Sequence, residues 1–234
     1  MTIIHNQTKY RHEYKFLLQK DMYLQFKDAL SKLMLVDKNS GSTGGYHIRS
    51  LYYDDIYDNA LKEKLLGNKN RNKFRIRIYN FSDRTIKLEI KAKSDEFIHK
   101  KSSTITREEY EKFLSGDVGF LNQKNDQVKE MFYLEYRNNL LRPKVIVDYY
   151  REAYILPYNQ IRVTFDKDLS AARPVKDMFN NKIFSGQVGQ DYSIIMEVKY
   201  NNFLPNYVRE VLQMNSLNRL AVSKYVLCRE FMAR

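Results

Sequence analysis

Two neighbouring segments of this chain alternate strictly between charged and apolar side chains. The first reads Lys73-Phe-Arg-Ile-Arg-Ile-Tyr79 and the second reads Ile86-Lys-Leu-Glu-Ile-Lys-Ala-Lys93. Alternation with a period of two puts successive side chains on opposite faces of a β-strand. Each segment therefore predicts a strand with one apolar face, which packs into a core, and one face that is dense in Lys and Arg.

Shorter segments repeat this pattern elsewhere in the chain. The residues that share a charged face in them are Arg11, Glu13 and Lys15; Arg162, Thr164 and Asp166; and Glu197 with Lys199. One such strand is typical of the solvated face of an antiparallel sheet. Five of them favour a second interpretation, a closed barrel with a cation-lined interior, which needs an anion inside because like charges repel when poorly solvated. Both interpretations are open at this point.

The remaining periodicities predict an antiparallel α+β fold. Strands are expected at residues 11–16, 46–54, 73–80, 85–93, 144–154, 160–166 and 193–200. Helices are expected at residues 21–36, 56–66, 128–138 and 218–231, after the capping box Thr106-Arg-Glu-Glu109, and at Pro205. This order does not fit repeated βαβ units of a parallel sheet. Because no stretch has the composition of a linker, we expect a single domain over residues 1–234.

The net charge narrows the class of partner. Forty Lys and Arg against 28 Asp and Glu give a formal charge of +12, which indicates an anionic partner: nucleic acid, acidic lipid or phosphate-rich small molecules. Residues 69–101 contain eleven Lys or Arg and four Asp or Glu, a net +7. More than half of the excess charge therefore lies in and around the two alternating segments.

Other classes of protein are disfavoured by features that the sequence lacks. No apolar run approaches the roughly 18 to 20 residues of a membrane-spanning helix, and the N-terminal residues do not have the pattern of a signal peptide. The single cysteine, Cys228, cannot form an intramolecular disulfide, and no zinc-type spacing of Cys and His is present. These observations predict a cytoplasmic protein without a transmembrane segment.

The motifs on the predicted strands resemble those of the triphosphate tunnel metalloenzymes. Arg11-His-Glu13-Tyr-Lys15-Phe16 is similar to the first-strand signature Glu-x-Glu-x-Lys, and Arg11 in the first position resembles the branch that contains the polyphosphate polymerase domain of the vacuolar transporter chaperone (VTC) complex. Seven further motifs follow in the family's order over residues 9–232: Ser50-Leu-Tyr-Tyr-Asp54, Phe74-Arg-Ile-Arg77, Leu88-Glu-Ile-Lys-Ala-Lys93, Tyr150-Arg151-Glu-Ala, Ile161-Arg-Val-Thr-Phe-Asp166, Met196-Glu-Val-Lys199 and Ser223-Lys224-Tyr225.

The resemblance implies a closed eight-stranded antiparallel β-barrel, a tunnel flanked by helices, that binds triphosphate or polyphosphate together with Mn²⁺ or Mg²⁺. The implied activity is polyphosphate polymerase, the transfer of the γ-phosphate of ATP onto polyphosphate. The implied phosphate ligands are Lys15, Arg75, Arg77, Lys91, Lys101, Arg151, Arg162 and Lys224, all of them except Lys101 and Lys224 also catalytic candidates. Glu197 matches the metal-binding acid.

The carboxylates have a second interpretation. Glu197 is also placed for an internal salt bridge with a lysine such as Lys199. Glu13 and Glu89 are alternatives as second metal ligands or as charge-balancing partners. The sequence does not decide between these roles.

Three other positions qualify the resemblance. Lys101 follows an apparent hairpin turn directly after Lys100, so the strand register there is ambiguous. Asp54 is also positioned to cap a helix that starts near Ile56. The polymerase branch has a further basic residue three positions before Lys224, where this chain has Ala221.

The reaction is left open by the sequence. The same cationic site fits a polymerase, a triphosphatase or a non-catalytic polyphosphate-binding protein. A different class, a single-stranded nucleic-acid-binding protein, fits basic strands that contain Tyr and Phe. Because the aromatic residues of the basic strands fall mostly on the apolar face, we expect no nucleic-acid partner. The oligomeric state is not predicted.

Overall fold

The structure is a computed structural model, which describes residues 11–94, 97–189, 194–214 and 216–234. Within these residues the strands are β1 (Arg11–Leu18), β2 (Leu35–Val36), β3 (Tyr46–Asp54), β4 (Arg71–Tyr79), β5 (Ser82–Ser94), β6 (Phe97–Ile105), β7 (Arg142–Leu156), β8 (Ile161–Ala172), β9 (Gly186–Gln187) and β10 (Ile194–Asn201). The α-helices are α1 (Lys20–Leu33), α2 (Asn59–Leu65), α3 (Arg107–Ser115), α4 (Gln127–Asn138), α5 (Asn206–Val211) and α6 (Lys224–Met232). No helix in the described residues combines the length and the apolar character needed to cross a membrane.

The strands form one antiparallel sheet, as the α+β prediction requires. The strand order is β1-β10-β8-β7-β3-β4-β5-β6, with β2 paired to β7 and β9 paired to β8. In the part of the chain that the structure describes, this order is open at β1 and at β6, so the closed barrel is not confirmed.

The residues divide into two compact units, which are described separately. The first unit contains the described residues of Met1–Gly45, Glu152–Asp166 and Tyr192–Val222. Its core lies where the apolar faces of β1, β8 and β10 meet α1, with Phe16, Phe26 and Phe165 each at most 1% exposed. Tyr23 of α1 donates a hydrogen bond to the buried Glu152 at 2.9 Å, which ties the helix to the end of β7.

The second unit contains Tyr46–Arg151, the described residues of Lys167–Asp191, and Ser223–Arg234. Its core packs the apolar faces of β3, β4 and β5 against α3 and α4, where Ile76 and Phe132 are fully buried. The predicted capping box is present, because Thr106 accepts from the Glu109 backbone N–H and the Glu109 carboxylate accepts from the Thr106 N–H. This pair satisfies two backbone donors at the start of α3.

Most predicted elements are confirmed, and the differences lie mainly at element ends and in one strand that was not predicted. The helix predicted at 21–36 ends at Leu33, and Leu35–Val36 pair with β7 instead. The helix predicted at 218–231 begins only at Lys224, where the Ser223 side chain caps it. β6 was not among the predicted strands, because its polar run His-Lys-Lys-Ser-Ser-Thr has no apolar alternation. The strand predicted from Ser193 starts at Ile194, and Ser193 lies outside the described residues.

Candidate functional site

The charged face of β4 in the second unit brings together Arg75, Arg77 and a carboxylate from the next strand. The register pairs Arg75 with Glu89 of β5 and with Tyr52 of β3, so these three side chains share one face. The residues that alternate with them, such as Phe74 and Ile76, are buried in the core. The alternation seen in the sequence therefore separates a cation-rich face from an apolar face, as predicted.

We call Arg75, Arg77, Glu89 and Lys100 the arginine cluster. Glu89 is 1% exposed, and Arg75 donates to its Oε2 from Nε at 2.7 Å and lies 2.6 Å from it at Nη2. Lys100 Nζ donates to the other oxygen, Oε1, at 2.8 Å. Arg77 Nε is 3.8 Å from Oε2. One buried carboxylate therefore contacts three cations.

The charge state of Glu89 follows from these contacts. Burial by itself would raise the pKa of its carboxyl group, but Arg75, Arg77 and Lys100 outweigh burial and hold the pKa well below its usual range. Glu89 is therefore an anion at neutral pH, and the cluster carries a net charge of about +2 from three cations and one carboxylate.

Tyr149 joins Arg77 to two further predicted ligands. Arg77 Nη2 donates to the Tyr149 hydroxyl at 3.2 Å, while its Nε donates to Ser50 Oγ at 3.1 Å. The guanidinium of Arg151 lies 5.3 Å from the Tyr149 ring centroid, and the ammonium of Lys224 lies 4.9 Å from it. Because an aromatic ring attracts cations, Tyr149 holds three of the predicted phosphate ligands within one neighbourhood.

Helix α6 delivers Lys224 to this neighbourhood. The Tyr225 hydroxyl donates to the buried Asp54 at 2.7 Å, and the Tyr225 ring stacks on Tyr52 with centroids 5.1 Å apart. Asp54 also accepts from the backbone N–H groups of Ala60 and Leu61. Asp54 therefore has the helix-capping role that was one of its two predicted interpretations, and it fixes the start of α6 as well.

Lys91 lies in a row of lysines that crosses three strands. It is directly opposite Lys73 on β4 and Lys100 on β6, and Lys73 Nζ donates to Ser223 Oγ at 2.9 Å. Like charges directly opposite each other destabilise a sheet. Three lysines lie opposite one another on the face that carries the arginine cluster. An anionic ligand would offset the repulsion between them.

Lys101 does not lie with the other predicted ligands of the second unit. The register pairs it with Ile90, on the apolar face of β5, and its ammonium donates to Gln127 at the surface. Lys100 occupies the charged face in its place, so the ambiguity left by the sequence is resolved in favour of Lys100. Sequence reasoning missed it because adjacent lysines differ only in strand parity, and β6 has no apolar alternation to fix that parity.

In the first unit, four alternating charges form a second group, the lysine–glutamate cluster, composed of Glu13, Lys15, Glu197 and Lys199. Lys15 Nζ is 3.1 Å from Glu13 and 3.6 Å from Glu197. Lys199 Nζ donates to Glu197 at 2.8 Å and is 3.7 Å from Glu13. The salt bridge between Glu197 and Lys199, the second interpretation offered by the sequence, is therefore present.

Arg162, the remaining predicted ligand, is held by a residue that the sequence did not single out. Its Nη2 donates to Asp37 Oδ2 at 2.6 Å, and Asp37 is 4% exposed. Asp37 also accepts two hydrogen bonds from Asn39. No signal in the sequence marks Asp37, because it lies in a loop that meets β8 only in the folded unit.

Comparisons with known proteins decide the family. The sequence model of the VTC domain matches residues 10–233, nearly the whole chain. The chain belongs to the VTC domain family. The family assignment predicted from the motifs is thereby confirmed. No curated protein sequence is significantly similar to the chain.

Among solved structures, this VTC domain shares its fold with a candidate adenylate cyclase from Bacillus halodurans. The two are 14% identical, the match covers 92% of this chain and 94% of the other, and the TM-score is 0.52. A second candidate adenylate cyclase, from Vibrio parahaemolyticus, is 10% identical with a TM-score of 0.48, over 97% of this chain and 100% of the other. At 14% identity, the similarity to the Bacillus halodurans protein shows a shared fold but does not show which reaction this chain catalyses.

The VTC domain family implies a divalent metal, and the lysine–glutamate cluster offers carboxylates of the required kind. The carboxylates of Glu13 and Glu197 both contact the ammonium groups of Lys15 and Lys199. The two carboxylates are therefore close enough to share one cation. Mg²⁺ typically takes one or two protein carboxylates and completes its shell with phosphate oxygens and water. No group of three or more His, Cys, Asp or Glu side chains placed to hold a metal occurs in the described residues. The donor set therefore fits a metal that is bound jointly with a phosphate ligand.

The position of Ala221, where this chain differs from the polymerase branch, lies close in sequence to an arginine that stacks on a tyrosine. Where the branch has a basic residue, this VTC domain has Ala221, and the nearby Arg219 lies with its guanidinium 3.5 Å from the Tyr14 ring centroid. Arg219 is thus stacked on an aromatic side chain of β1.

Proposed function

We propose that this VTC domain is a metal-dependent polyphosphate polymerase, which transfers the γ-phosphate of ATP onto a polyphosphate chain. The observation that carries the proposal is the grouping of Arg75 and Arg77 with Arg151 and Lys224 around Tyr52 and Tyr149. Arginine suits this task because its planar fork donates two parallel hydrogen bonds to phosphate oxygens. The closed eight-stranded tunnel that the family resemblance implies is part of this proposal.

Phosphoryl transfer needs positioning and charge neutralisation more than a protein nucleophile. The cations of the second unit hold the phosphates of ATP and offset the negative charge on their oxygens. A terminal phosphate oxygen of the polyphosphate chain forms the new bond to the γ-phosphorus, and the bond from that phosphorus to ADP breaks. In the first unit, Lys15 and Arg162 are also proposed phosphate ligands.

Glu197, with Glu13, would hold Mn²⁺ or Mg²⁺. The metal, when bound, supplies further neutralisation of charge on the phosphate oxygens. Lys15 and Lys199 then have two tasks. They balance the charge of the two carboxylates, and their ammonium groups would donate to phosphate oxygens of the ligand.

The proposal is tested by incubating the protein with ATP and MnCl₂, with and without a short polyphosphate primer, and by separating the products on a gel. Growth of the chain with release of ADP is expected. Release of orthophosphate without chain growth would replace the polymerase by a triphosphatase. A parallel incubation with labelled single-stranded RNA tests the different class, and RNA retention without any turnover of ATP would contradict the proposal.

A further inference from the structure

Glu89 is a carboxylate in the middle of a site proposed to bind anions. It is almost fully buried, at 1% exposure, and it contacts Arg75, Arg77 and Lys100. A negative charge at this position repels a phosphate ligand. The phosphate-binding role proposed for the cations therefore does not account for it.

The contacts of Glu89 match those that a phosphate would make. Carboxylate and phosphate oxygens accept the same charge-assisted hydrogen bonds from Arg and Lys. Glu89 Oε2 is within reach of both Nε and Nη2 of Arg75, and Oε1 receives Lys100. Glu89 thus occupies an acceptor position between cations that are suited to a phosphate.

The cations around Glu89 need such an anion when no ligand is present. Arg75 and Arg77 are 13% and 9% exposed at their side chains, and poorly solvated like charges destabilise a folded protein. Because Glu89 remains ionised, it compensates for them permanently.

We propose that Glu89 is the built-in counter-anion of the arginine cluster, which stabilises the empty site and sets its phosphate affinity below the value that the cations alone would give. The inference deepens the proposed function and rests on it. Moderate affinity serves a polymerase, because a product chain that is held too tightly leaves the site slowly.

The test removes the charge and keeps the shape of the side chain. The Glu89→Gln variant is compared with Glu108→Gln, which makes the same change in net charge at an exposed position of α3. Thermal melting is recorded at neutral pH with and without sodium tripolyphosphate, and the affinity for tripolyphosphate is measured by titration calorimetry without metal. Glu89→Asp, which keeps the charge, serves as the conservative variant.

We expect the melting temperature of ligand-free Glu89→Gln to fall, its tripolyphosphate affinity to rise by roughly tenfold or more, and its ligand-induced rise in melting temperature to exceed that of the wild type. Glu108→Gln is expected to match the wild type, and Glu89→Asp to stay closer to the wild type than Glu89→Gln. An affinity in Glu89→Gln that is unchanged or lower would overturn the inference, because Glu89 would then act only as a structural partner of Arg75.

Loss of folding in Glu89→Gln still gives a decision. If the unfolded variant regains a melting transition when tripolyphosphate is added, the ligand has replaced the missing anion and the inference is supported. If no concentration of tripolyphosphate restores it, the inference is wrong. Failure of the wild-type protein to bind tripolyphosphate at all would instead contradict the proposed function, and the inference with it.

Discussion

At the residue scale, substitution of Lys15 distinguishes a role in ligand binding from a role in protein stability. Its ammonium lies near Glu13 and Glu197 and donates to the backbone oxygen of Val222 at 3.2 Å. In Lys15→Ala, the affinity for tripolyphosphate is expected to fall about 10- to 100-fold, because a hydrogen bond to a charged group contributes roughly 1.5–3 kcal/mol. Lys199 remains beside both acids, so the melting temperature should fall by only a few degrees. Calorimetry and thermal melting measure the two effects.

A large loss of stability in Lys15→Ala with unchanged affinity would identify Lys15 as a structural residue. Lys20→Ala is a suitable control, because Lys20 is an exposed lysine at the start of α1 in the same unit. It should leave both quantities as they are in the wild type.

Glu197 tests the metal at the residue scale. Its carboxylate pairs with Lys15 and Lys199, so Glu197→Gln removes a negative charge and leaves two cations. Metal-free affinity for tripolyphosphate should therefore be equal or higher. Metal-dependent turnover should fall roughly a hundredfold or more, the size of one lost electrostatic contact to the transition state. Turnover assays with Mn²⁺ and calorimetry without it provide the measurements, and unchanged metal-dependent turnover would move the metal site away from Glu197.

At the element scale, α6 is attached to the second unit through Tyr225. Burial, and then the nearby Asp54, raise the pKa of its hydroxyl well above the usual range, so Tyr225 stays a hydrogen-bond donor to that carboxylate. Tyr225→Phe leaves the buried Asp54 with one partner fewer, which is expected to cost about 1–3 kcal/mol of unfolding free energy. Chemical denaturation measures this loss, with the exposed Tyr57→Phe as the control.

The same substitution should also affect the proposed phosphate-binding side chains that α6 helps to position. Lys224 precedes Tyr225, and the Tyr225 ring stacks on Tyr52, whose hydroxyl accepts from Arg75 at 2.8 Å. Tripolyphosphate affinity should therefore fall in Tyr225→Phe but not in Tyr57→Phe. If stability falls and affinity holds, α6 contributes to folding without positioning the site.

How far the sequence predicted these elements depends on the strength of their pattern. β4 and β5 have strict alternation, and their charged faces were predicted correctly, including the parity of Arg75, Arg77 and Lys91. β6 has a polar sequence without apolar alternation, so the strand itself was not predicted. Its register with β5 is what places Lys100, and not Lys101, on the charged face.

Contacts between segments that are distant in the chain could not be predicted from the sequence, for a different reason. Asp37 meets Arg162 across 125 positions of the chain, and Tyr149 meets Arg77 across 72. Neither pair has a spacing that implies contact, because only the packed sheet brings them together. The counter-ion role was among the sequence's alternatives for Glu89, but the sequence did not indicate that this carboxylate contacts three cations.

At the scale of the whole molecule, the depressed pKa of Glu89 predicts acid sensitivity. A carboxyl group whose pKa is lower in the folded protein than its ordinary 4.5 binds fewer protons than in the unfolded chain at mildly acidic pH. Its stabilising contribution is complete above about pH 4.5 to 5 and declines as the pH falls toward the folded pKa. Asp58 and Asp126, whose pKa values are also lowered by hydrogen-bonded partners despite opposing burial in each, act in the same direction.

Urea unfolding at a series of pH values from 7 down to 3 checks this prediction. The free energy of unfolding should decrease below about pH 5, and the decrease should be shallower in Glu89→Gln than in Glu108→Gln. Equal slopes in the two variants would show that Glu89 does not contribute to the acid sensitivity.

The fate of each phosphate of ATP tests the central claim most directly. The protein is incubated with Mn²⁺ and a short polyphosphate primer, using ATP labelled at the γ-phosphate in one reaction and at the α-phosphate in another. The account predicts that the γ-label enters chains longer than the primer, while the α-label remains in ADP. Appearance of the γ-label only as orthophosphate, or of the α-label in any product other than a nucleoside diphosphate, would contradict it.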